Sequence, residues 1–484
     1  MRVLLLSTYE LGHQPLGIAA PAAALEAAGH ETCGVDLSMS ELEADDLAWA
    51  EAVAISIPMH TATRLGLEAI AAVRLVRPDL PVAWHGLYAP VLAGNDLVRP
   101  TDLLVAGEAI PALLAWLRST ESERSGEVGA GEMGGGSAGV AGVLVELGPA
   151  RPARSGLRPL RRDLPPLEGY ARLKVGRREV VTASVAASTG CNHRCRHCPV
   201  APIYQGRSRP VDATSVMDDV AQVVAAGAGH VSFADPDFLN RPAHALDVAR
   251  RLHTEFPTLT FDATVKVEHI IRYPDVWPEL RRSGLLFVVS AFESVDNAVL
   301  QRLDKGHSVA DEAVALDRVR SAGIELRPSW LPFTPWTTLD SVAALLEFVA
   351  EQDLIWSTDP VQYSIRLLLP SGSLLLDEPD DALTRSLGAV VDGNTEWVSM
   401  HPGVDDLQAS IAGCAEAAGD EPPDIAFAAI WELARTAGVP LARTPPPPSV
   451  RPWLPGPERP RLTESWFCCA EPTGAQLQRL RMPS

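Results

Sequence analysis

The chain has 484 residues, 46% of them apolar and 21% charged, with a formal net charge of −20. This length exceeds one ordinary core, so two or three domains are expected, and the acidic balance disfavours a general polyanion-binding surface, which excludes nucleic acid as a default partner. No apolar run reaches the roughly 18 to 20 residues of a membrane span, and MRVLLLS leads into a patterned segment without a small-residue cleavage site, so a cytoplasmic protein without membrane association is expected.

Val3 to Leu6 reads as a strand and Ile18 to Ala28 as an Ala-rich helix ending at Gly29. Val53 to Ile57 reads as a buried strand, Leu65 to Val76 as a helix, and Val82 to Trp84 as a strand before the loop His85-Gly86-Leu87. Such alternation predicts a Rossmann-like parallel α/β domain, here residues 1–118, with ligands at the carboxyl ends of its strands. From Ser119 to about Gly139 the composition turns to Gly, Ser and Glu without apolar period, the mark of a flexible linker, with a connecting segment to residue 165. Six strand-like runs then alternate with helical runs: Val180 to Ala187, Val231 to Ala234, Leu259 to Val267, Leu285 to Ala291, Ile324 to Leu331 and Gln362 to Leu369. Six βα units predict a partial TIM barrel over residues 166–387. Residues 388–484 form a small, mostly helical region around Ile425 to Ala437, a Pro-rich stretch from Pro440 to Pro460, and an extended tail with Trp466, Phe467, Cys468 and Cys469.

There are seven cysteines, an odd number, which favours metal or redox chemistry over a disulfide framework. Cys191, Cys195 and Cys198 stand in Ser188-Thr-Gly-Cys-Asn-His-Arg-Cys-Arg-His-Cys-Pro199, directly after the first barrel strand. Three thiolates at this spacing can satisfy three irons of a four-iron cluster and leave the fourth open to an exogenous ligand. The competing reading is zinc, with His193 or His197 completing the ligands. Structural zinc sites usually pair two short-spaced couples, whereas the next cysteine, Cys414, is over two hundred residues away. The position after a barrel strand also favours a reaction site.

The CxxxCxxC loop on the first of six βα units resembles the radical S-adenosylmethionine (SAM) superfamily, and CRHCP resembles its members with an N-terminal cobalamin-binding-like domain. The resemblance runs from Met1 to about Leu375 and implies a [4Fe-4S] cluster on Cys191, Cys195 and Cys198, SAM on the open iron, a small-molecule substrate, and a reductant such as flavodoxin or ferredoxin. His197 departs from the aromatic residue often found there. In Ala234-Asp235-Pro236-Asp237-Phe238, Asp235 or Asp237 falls where the family contacts the SAM amino group. Phe292-Glu293-Ser294 resembles a segment contacting the methionine or ribose portion. Arg366 could meet a carboxylate through its planar fork. For Asp235, Asp237, Glu293 and Arg366 alike, the competing role is a strand-end cap or ion pair.

The first domain resembles cobalamin-binding domains, but the Asp-x-His-x-x-Gly pattern is missing: Gly17 follows His13 one residue too late, and no aspartate lies two residues before it. Relatives can bind cobalamin without a histidine ligand, through backbone and small residues near positions such as Ser56 and Gly86; the alternative is a scaffold that binds nothing. No GxGxxG follows the first strand, which disfavours a nicotinamide cofactor.

Trp466-Phe467-Cys468-Cys469-Ala470-Glu471-Pro472 resembles the tail of a small radical SAM family named for CUAEP or CCAEP, in which selenocysteine can stand at the position of Cys469. Selenium in place of sulfur implies a reactive soft nucleophile at Cys468 and Cys469; the competing readings are a structural pair or, with Cys414, ligands of a second cluster. Adjacent thiols suit trivalent arsenic, and the resemblance extends to radical SAM enzymes that join the 3-amino-3-carboxypropyl group of SAM to arsenic. Cobalamin-dependent radical methylation is the second enzymatic reading, and a non-catalytic metalloid or redox binding protein the third.

Overall fold

Val3, Leu4, Leu5 and Leu6 are all fully buried although consecutive strand residues face opposite ways, so the sheet that holds them must be covered on both faces. The computed structural model describes residues 1–125, 144–146, 157–419, 421–450, 452–464 and 466–480. It divides into two compact units, Met1–Tyr170 with Glu471–Ser484, and Ala171–Ala470.

In the first unit, strands β1 (Arg2–Ser7), β2 (Glu31–Asp36), β3 (Ala52–Ser56), β4 (Val82–His85), β5 (Leu103–Gly107) and β6 (Leu144–Glu146) alternate with helices α1 (Leu16–Ala27), α2 (Ala44–Trp49), α3 (His60–Val76) and α4 (Ala109–Ser125). The sheet order is β2-β1-β3-β4-β5-β6, and all pairings are parallel. Val3, Leu5, Ala52 and Ala54 pack against α1 and α4 through Ile18, Leu25, Leu113 and Leu117. Leu4, Leu6, Val53 and Ile55 pack on the other face against Leu47 of α2 and Ile70 and Val73 of α3. Strand β2, which the sequence pattern missed, sits at the edge, where a Thr-Cys-Gly run carries little apolar signal. Helix α4 runs into the segment expected to be a linker from Ser119; residues 126–143 lie outside the described residues.

The second unit begins with β7 (Arg172–Val175), β8 (Arg178–Val185) and β9 (Ser188–Gly190), then α5 (Val200–Tyr204), β10 (Ser208–Pro210) and α6 (Ala213–Ala225). The following strands are β11 (His230–Phe233), β12 (Thr260–Thr264), β13 (Leu285–Glu293) and β14 (Glu325–Trp330). Between them lie α7 (Pro242–Glu255), α8 (Val267–Arg272), α9 (Trp277–Arg282), α10 (Asn297–Arg302) and α11 (Val309–Ser321), with α12 (Leu339–Glu351) after β14. A hairpin follows, β15 (Leu387–Val391) with β16 (Asn394–Trp397), then two helices, Val404–Ala418 and Pro423–Thr436, and the short strand β17 (Arg461–Leu462). The main sheet has the order β14-β13-β12-β11-β8-β7-β17. Its β8 and β11 to β14 are parallel, which puts the loop after β8 and the loops after β11, β12 and β13 at one end of a curled half-barrel.

The sixth strand expected at Gln362 to Leu369 does not form. Pro360–Ser364 is a 3₁₀ turn, and the segment joins the preceding chain through the single bridge between Phe333 and Arg366. Pro332 and Pro335 flank Phe333 and lack the amide hydrogens that a longer ladder needs.

The Pro-rich segment is fastened to the half-barrel by Arg459, whose guanidinium bonds the Asp353 carboxylate and carbonyl, the Ser357 hydroxyl and the Leu454 carbonyl. β17 then adds to the sheet edge antiparallel to β7. Replacing this buried cation leaves Asp353 uncompensated, so Arg459→Ala is expected to destabilise the second unit by about 3 kcal/mol. The measurement is the urea midpoint, together with faster proteolytic cleavage between residues 440 and 464; an unchanged midpoint refutes the fastening role.

Candidate active site

The cysteine loop is shaped by its flanks. Gly190 closes β9 at φ +71°, and a Cβ there would lie 2.4 Å from the Arg207 carbonyl oxygen and 2.5 Å from the Tyr204 ring, so only glycine lets the chain turn into Cys191. Asn240, in the loop after β11, accepts the Asn192 N–H at 3.0 Å, while the Asn192 side chain donates to the Asn240 carbonyl at 2.9 Å and accepts the Ser208 N–H at 3.0 Å. The Cys191 Sγ lies 3.8 Å from Asn240 Oδ1. Farther along, the Arg196 N–H donates to the Leu303 carbonyl at 2.9 Å and its guanidinium to the Glu378 carbonyl at 2.6 Å. The Cys198 N–H bonds the Cys195 carbonyl at 3.1 Å.

The three loop thiols are close enough to act on one another. Burial raises the Cys191 thiol, and Cys195 adds to the rise. Cys198 is pushed up to about 12 by burial, then by the charges of Cys195 and Cys191, with Lys305 opposing. Each histidine of the loop has one ring nitrogen engaged away from these thiols. His197 Nε2 bonds Glu293 at 3.2 Å, and His193 Nδ1 lies 3.1 Å from the Lys266 ammonium.

Glu293 ends β13 in the left-handed region, φ +70°, beside a register shift against β14. Burial raises its carboxyl, but Lys305, at 3.1 Å, and His197 outweigh that and hold it down to about 2. Asp235 is spent on the barrel itself. It accepts the Ala187 N–H at 2.8 Å and the Ser188 hydroxyl, splinting the end of β8 to the end of β11, and burial lifts it to about 7 against these bonds. Asp237 accepts the Leu239 N–H at 3.0 Å and turns its other oxygen to His269 and His193. Arg366 is a correction to the expected carboxylate partner. Its guanidinium bonds Asp405 at 2.5 Å and the Trp397 carbonyl, and lies 3.6 Å from the Trp397 ring centroid, so its fork is already filled.

Cys468 and Cys469 are brought to the same end of the half-barrel. Trp466, Phe467 and Cys469 pack against a cluster that includes Val299, Leu303, Leu331, Leu367 and Leu369. The two sulfurs lie 3.6 Å apart. Cys469 is raised well above the ordinary thiol range by its bond to Cys468 and by burial, with Glu293 and Cys198 among the charges that act on it. Cys414 lies on the helix Val404–Ala418. Asn240, Lys305 and His269 were missed by sequence reasoning; the available signal was only that each is a polar residue in a loop or short helix following a barrel strand.

Residues 185–346 match the profile of the radical SAM superfamily. The chain carries a radical SAM domain. Among curated proteins it is 31% identical over 186 residues to a tRNA-2-methylthio-N(6)-dimethylallyladenosine synthase of Chlorobium phaeovibrioides, an alignment covering 36% of this chain and 40% of that protein. The same enzyme of Chlorobium phaeobacteroides is 25% identical over 167 residues, covering 32% and 36%. The chain thus spans about two fifths or less of the length of these relatives. Among solved structures it resembles the cobalamin-dependent SAM radical enzyme OxsB with aqua-cobalamin bound, at TM-score 0.63 and 13% identity, over 86% of this chain and 66% of that one. It also resembles the radical SAM methyltransferase TsrM from Kitasatospora setae, at TM-score 0.50 and 19% identity, over 71% and 70%. At such identities these likenesses establish the fold: a parallel α/β unit and a radical SAM half-barrel.

The cofactors of the radical SAM domain are a [4Fe-4S] cluster and SAM, and the donor set fits the cluster. Three thiols are gathered in one loop, where Cys195 opposes the ionisation of both Cys191 and Cys198, an arrangement that a polycationic iron core would relieve. Cobalamin fares differently in the first unit. At the carboxyl end of β1, the Glu10 carboxylate accepts the Leu16 and Gly17 N–H groups at 2.8 and 2.9 Å and the Ser56 hydroxyl at 3.4 Å. Asp36 accepts the Tyr170 hydroxyl at 2.8 Å. A Cβ on Gly86 would lie 2.6 Å from the Ile57 carbonyl oxygen, so its smallness serves the fold. Ser56 and Gly86, at the carboxyl ends of β3 and β4, are thus each engaged by the chain itself.

Replacing Cys191, Cys195 and Cys198 together by Ala is expected to abolish cluster assembly, read as bound iron and sulfide after anaerobic reconstitution; full iron in that variant overturns the ligand assignment. Glu293 gives a pH test. Its carboxyl is depressed from 4.5 to about 2, so its stabilisation is complete above pH 4.5 and is lost as pH falls toward 2. The stability gap between the parent and Glu293→Gln should therefore close over that window in denaturant titrations, and a gap independent of pH contradicts the ion pair.

Proposed function

We propose that this radical SAM enzyme transfers a SAM-derived 3-amino-3-carboxypropyl group to a soft acceptor, trivalent arsenic, held by Cys468 and Cys469. The observation that carries the reading is the adjacent thiol pair, with sulfurs 3.6 Å apart, placed where Cys198 and Glu293 act on Cys469.

Cys191, Cys195 and Cys198 would hold the cluster, which when loaded with SAM supplies the reductive cleavage of a carbon–sulfur bond. The chain's own groups do the rest. Asn240 and Asn192 fix the loop that presents the thiols. Glu293, neutralised by Lys305 and His197, places a buried charge array beside the site without an uncompensated ion. Its bond to Cys468, then burial and the negative neighbours, disfavour ionisation of Cys469 in the free enzyme. A trivalent arsenic hydroxide exchanges two hydroxyls for the two sulfurs and releases two waters, so the pair becomes a chelate without leaving a buried thiolate. Trp466 and Phe467 pack at the same surface and restrict water there.

Cobalamin-dependent radical methylation is the second reading, supported by the fold likeness to OxsB and TsrM. Products separate the two: aminocarboxypropyl transfer leaves 5'-methylthioadenosine, methylation leaves 5'-deoxyadenosine and S-adenosylhomocysteine. With arsenite, SAM and reductant, the parent should yield 5'-methylthioadenosine and a carbon–arsenic product by mass spectrometry. The Cys468→Ala/Cys469→Ala variant should keep its iron and its uncoupled SAM cleavage, and lose the arsenical product and tight arsenite binding. Full turnover by this variant sinks the proposal, and loss of iron would assign the tail to cluster ligation.

A further inference from the structure

We infer that His193, Asp237 and His269 form a site for a single divalent transition-metal ion, distinct from the cluster thiols. One ligand atom from each, the ring nitrogens and a carboxylate oxygen, lies within 4.8 Å of the others. The residues come from three successive loops of the half-barrel: His193 from the cysteine loop after β8, Asp237 from the loop after β11, and His269 from α8 after β12.

Hydrogen bonding alone does not account for the arrangement. Asp237 and His269 are 1% and 4% exposed. His269 Nδ1 lies 2.7 Å from Asp237 Oδ2, and His193 Nε2 lies 3.5 Å from the same oxygen. Yet all three atoms are buried without a properly directed hydrogen bond. At 2.7 Å a donor aimed at an acceptor would satisfy both, so the misdirected contact leaves both atoms without a hydrogen-bond partner among the described residues. The 2.7 and 3.5 Å separations bracket the edge of about 3 Å expected between two ligands of one ion at bond lengths of roughly 2.0 to 2.2 Å. The two imidazole rings, with centroids 4.6 Å apart and planes at 55°, can present their nitrogens without stacking.

The donor set selects the metal class. Two imidazoles and one carboxylate suit zinc or ferrous iron, whereas calcium and magnesium prefer all-oxygen shells. Three protein ligands leave a position open to water or to an oxygen donor of a small molecule.

Lys266 and Glu268 flank the far side of the His193 ring. The Lys266 ammonium lies 3.1 Å from His193 Nδ1. Glu268 Oε2 lies 3.7 Å from the same nitrogen and 3.5 Å from Lys266. Glu268 becomes the carboxylate behind a metal-bound histidine, a position whose loss typically costs 10- to 100-fold in affinity. Because His193 sits between Cys191 and Cys195, an ion here would fasten the cluster loop to the loops after β11 and α8.

The test uses the full-length, cluster-loaded protein in the Cys468→Ala/Cys469→Ala background, so that the thiols of loop and tail are occupied or removed. Anaerobic titration with zinc, followed by gel filtration and metal analysis, should give one zinc per chain. Zinc K-edge absorption should show nitrogen and oxygen neighbours near about 2.0 Å and no sulfur shell near about 2.3 Å. Asp237→Asn and, separately, His269→Gln should retain iron and lose zinc, and Glu268→Gln should weaken zinc at least tenfold. No zinc in the parent background, uptake unchanged in both ligand variants, or a sulfur-only shell would each overturn the assignment. The outcome is independent of the acceptor proposed above, since no turnover is measured.

Discussion

Gathering three thiols in one short loop is the constraint on which the site depends. As free thiolates these sulfurs would repel one another, and burial makes the charges of Cys191 and Cys198 more costly still. The fold answers with geometry first. Gly190 provides the turn that no other residue can make, Asn192 and Asn240 clasp the start of the loop, and Arg196 is fixed to backbone carbonyls at its far side. An iron core held there would turn the clustered sulfur from a liability into a ligand set.

The same logic orders the charges around the loop. Glu293 and Lys305 are buried together, each able to remain ionised because the other is present. His197 joins them, which explains how a histidine is accommodated at that position: it donates to a carboxylate. Such a pair contributes little net stability compared with apolar residues, but removing one member is costly, so it fixes local conformation near the thiols. Asp235 serves the half-barrel in a simpler way, tying two strand ends together through backbone and hydroxyl donors.

The tail reaches the site by a route built from small local commitments. Gly456 lies against the Trp356 ring, where a Cβ would come within 2.4 Å of three ring atoms. Arg459 binds the turn that follows α12, β17 completes the sheet edge, and Trp466 and Phe467 settle on apolar residues around Leu303 and Leu369. Each contact is modest, and together they leave Cys468 and Cys469 side by side near Cys198 and Glu293.

The cysteine spacing, the alternation of strands and helices and the paired thiols were legible in the sequence because each is a local pattern: a loop length, a hydrophobic period, two adjacent letters. The half-barrel and the parallel first unit follow from those periods. What the sequence could not determine was which polar residues meet. Asp235 and Asp237 differ by two positions, yet one closes a strand end and the other faces two histidines, because successive residues around a tight turn point in different directions. Arg366 read as a free fork, but Asp405 and Trp397, some thirty to forty residues later, fill it. The apolar run at Gln362 to Leu369 read as a sixth strand, and the prolines on its neighbour limited it to one bridge. Asn240, Lys305 and His269 gain their meaning only when separate βα units are laid side by side, since the electrostatics and hydrogen bonds that define them act across space between residues far apart in the chain.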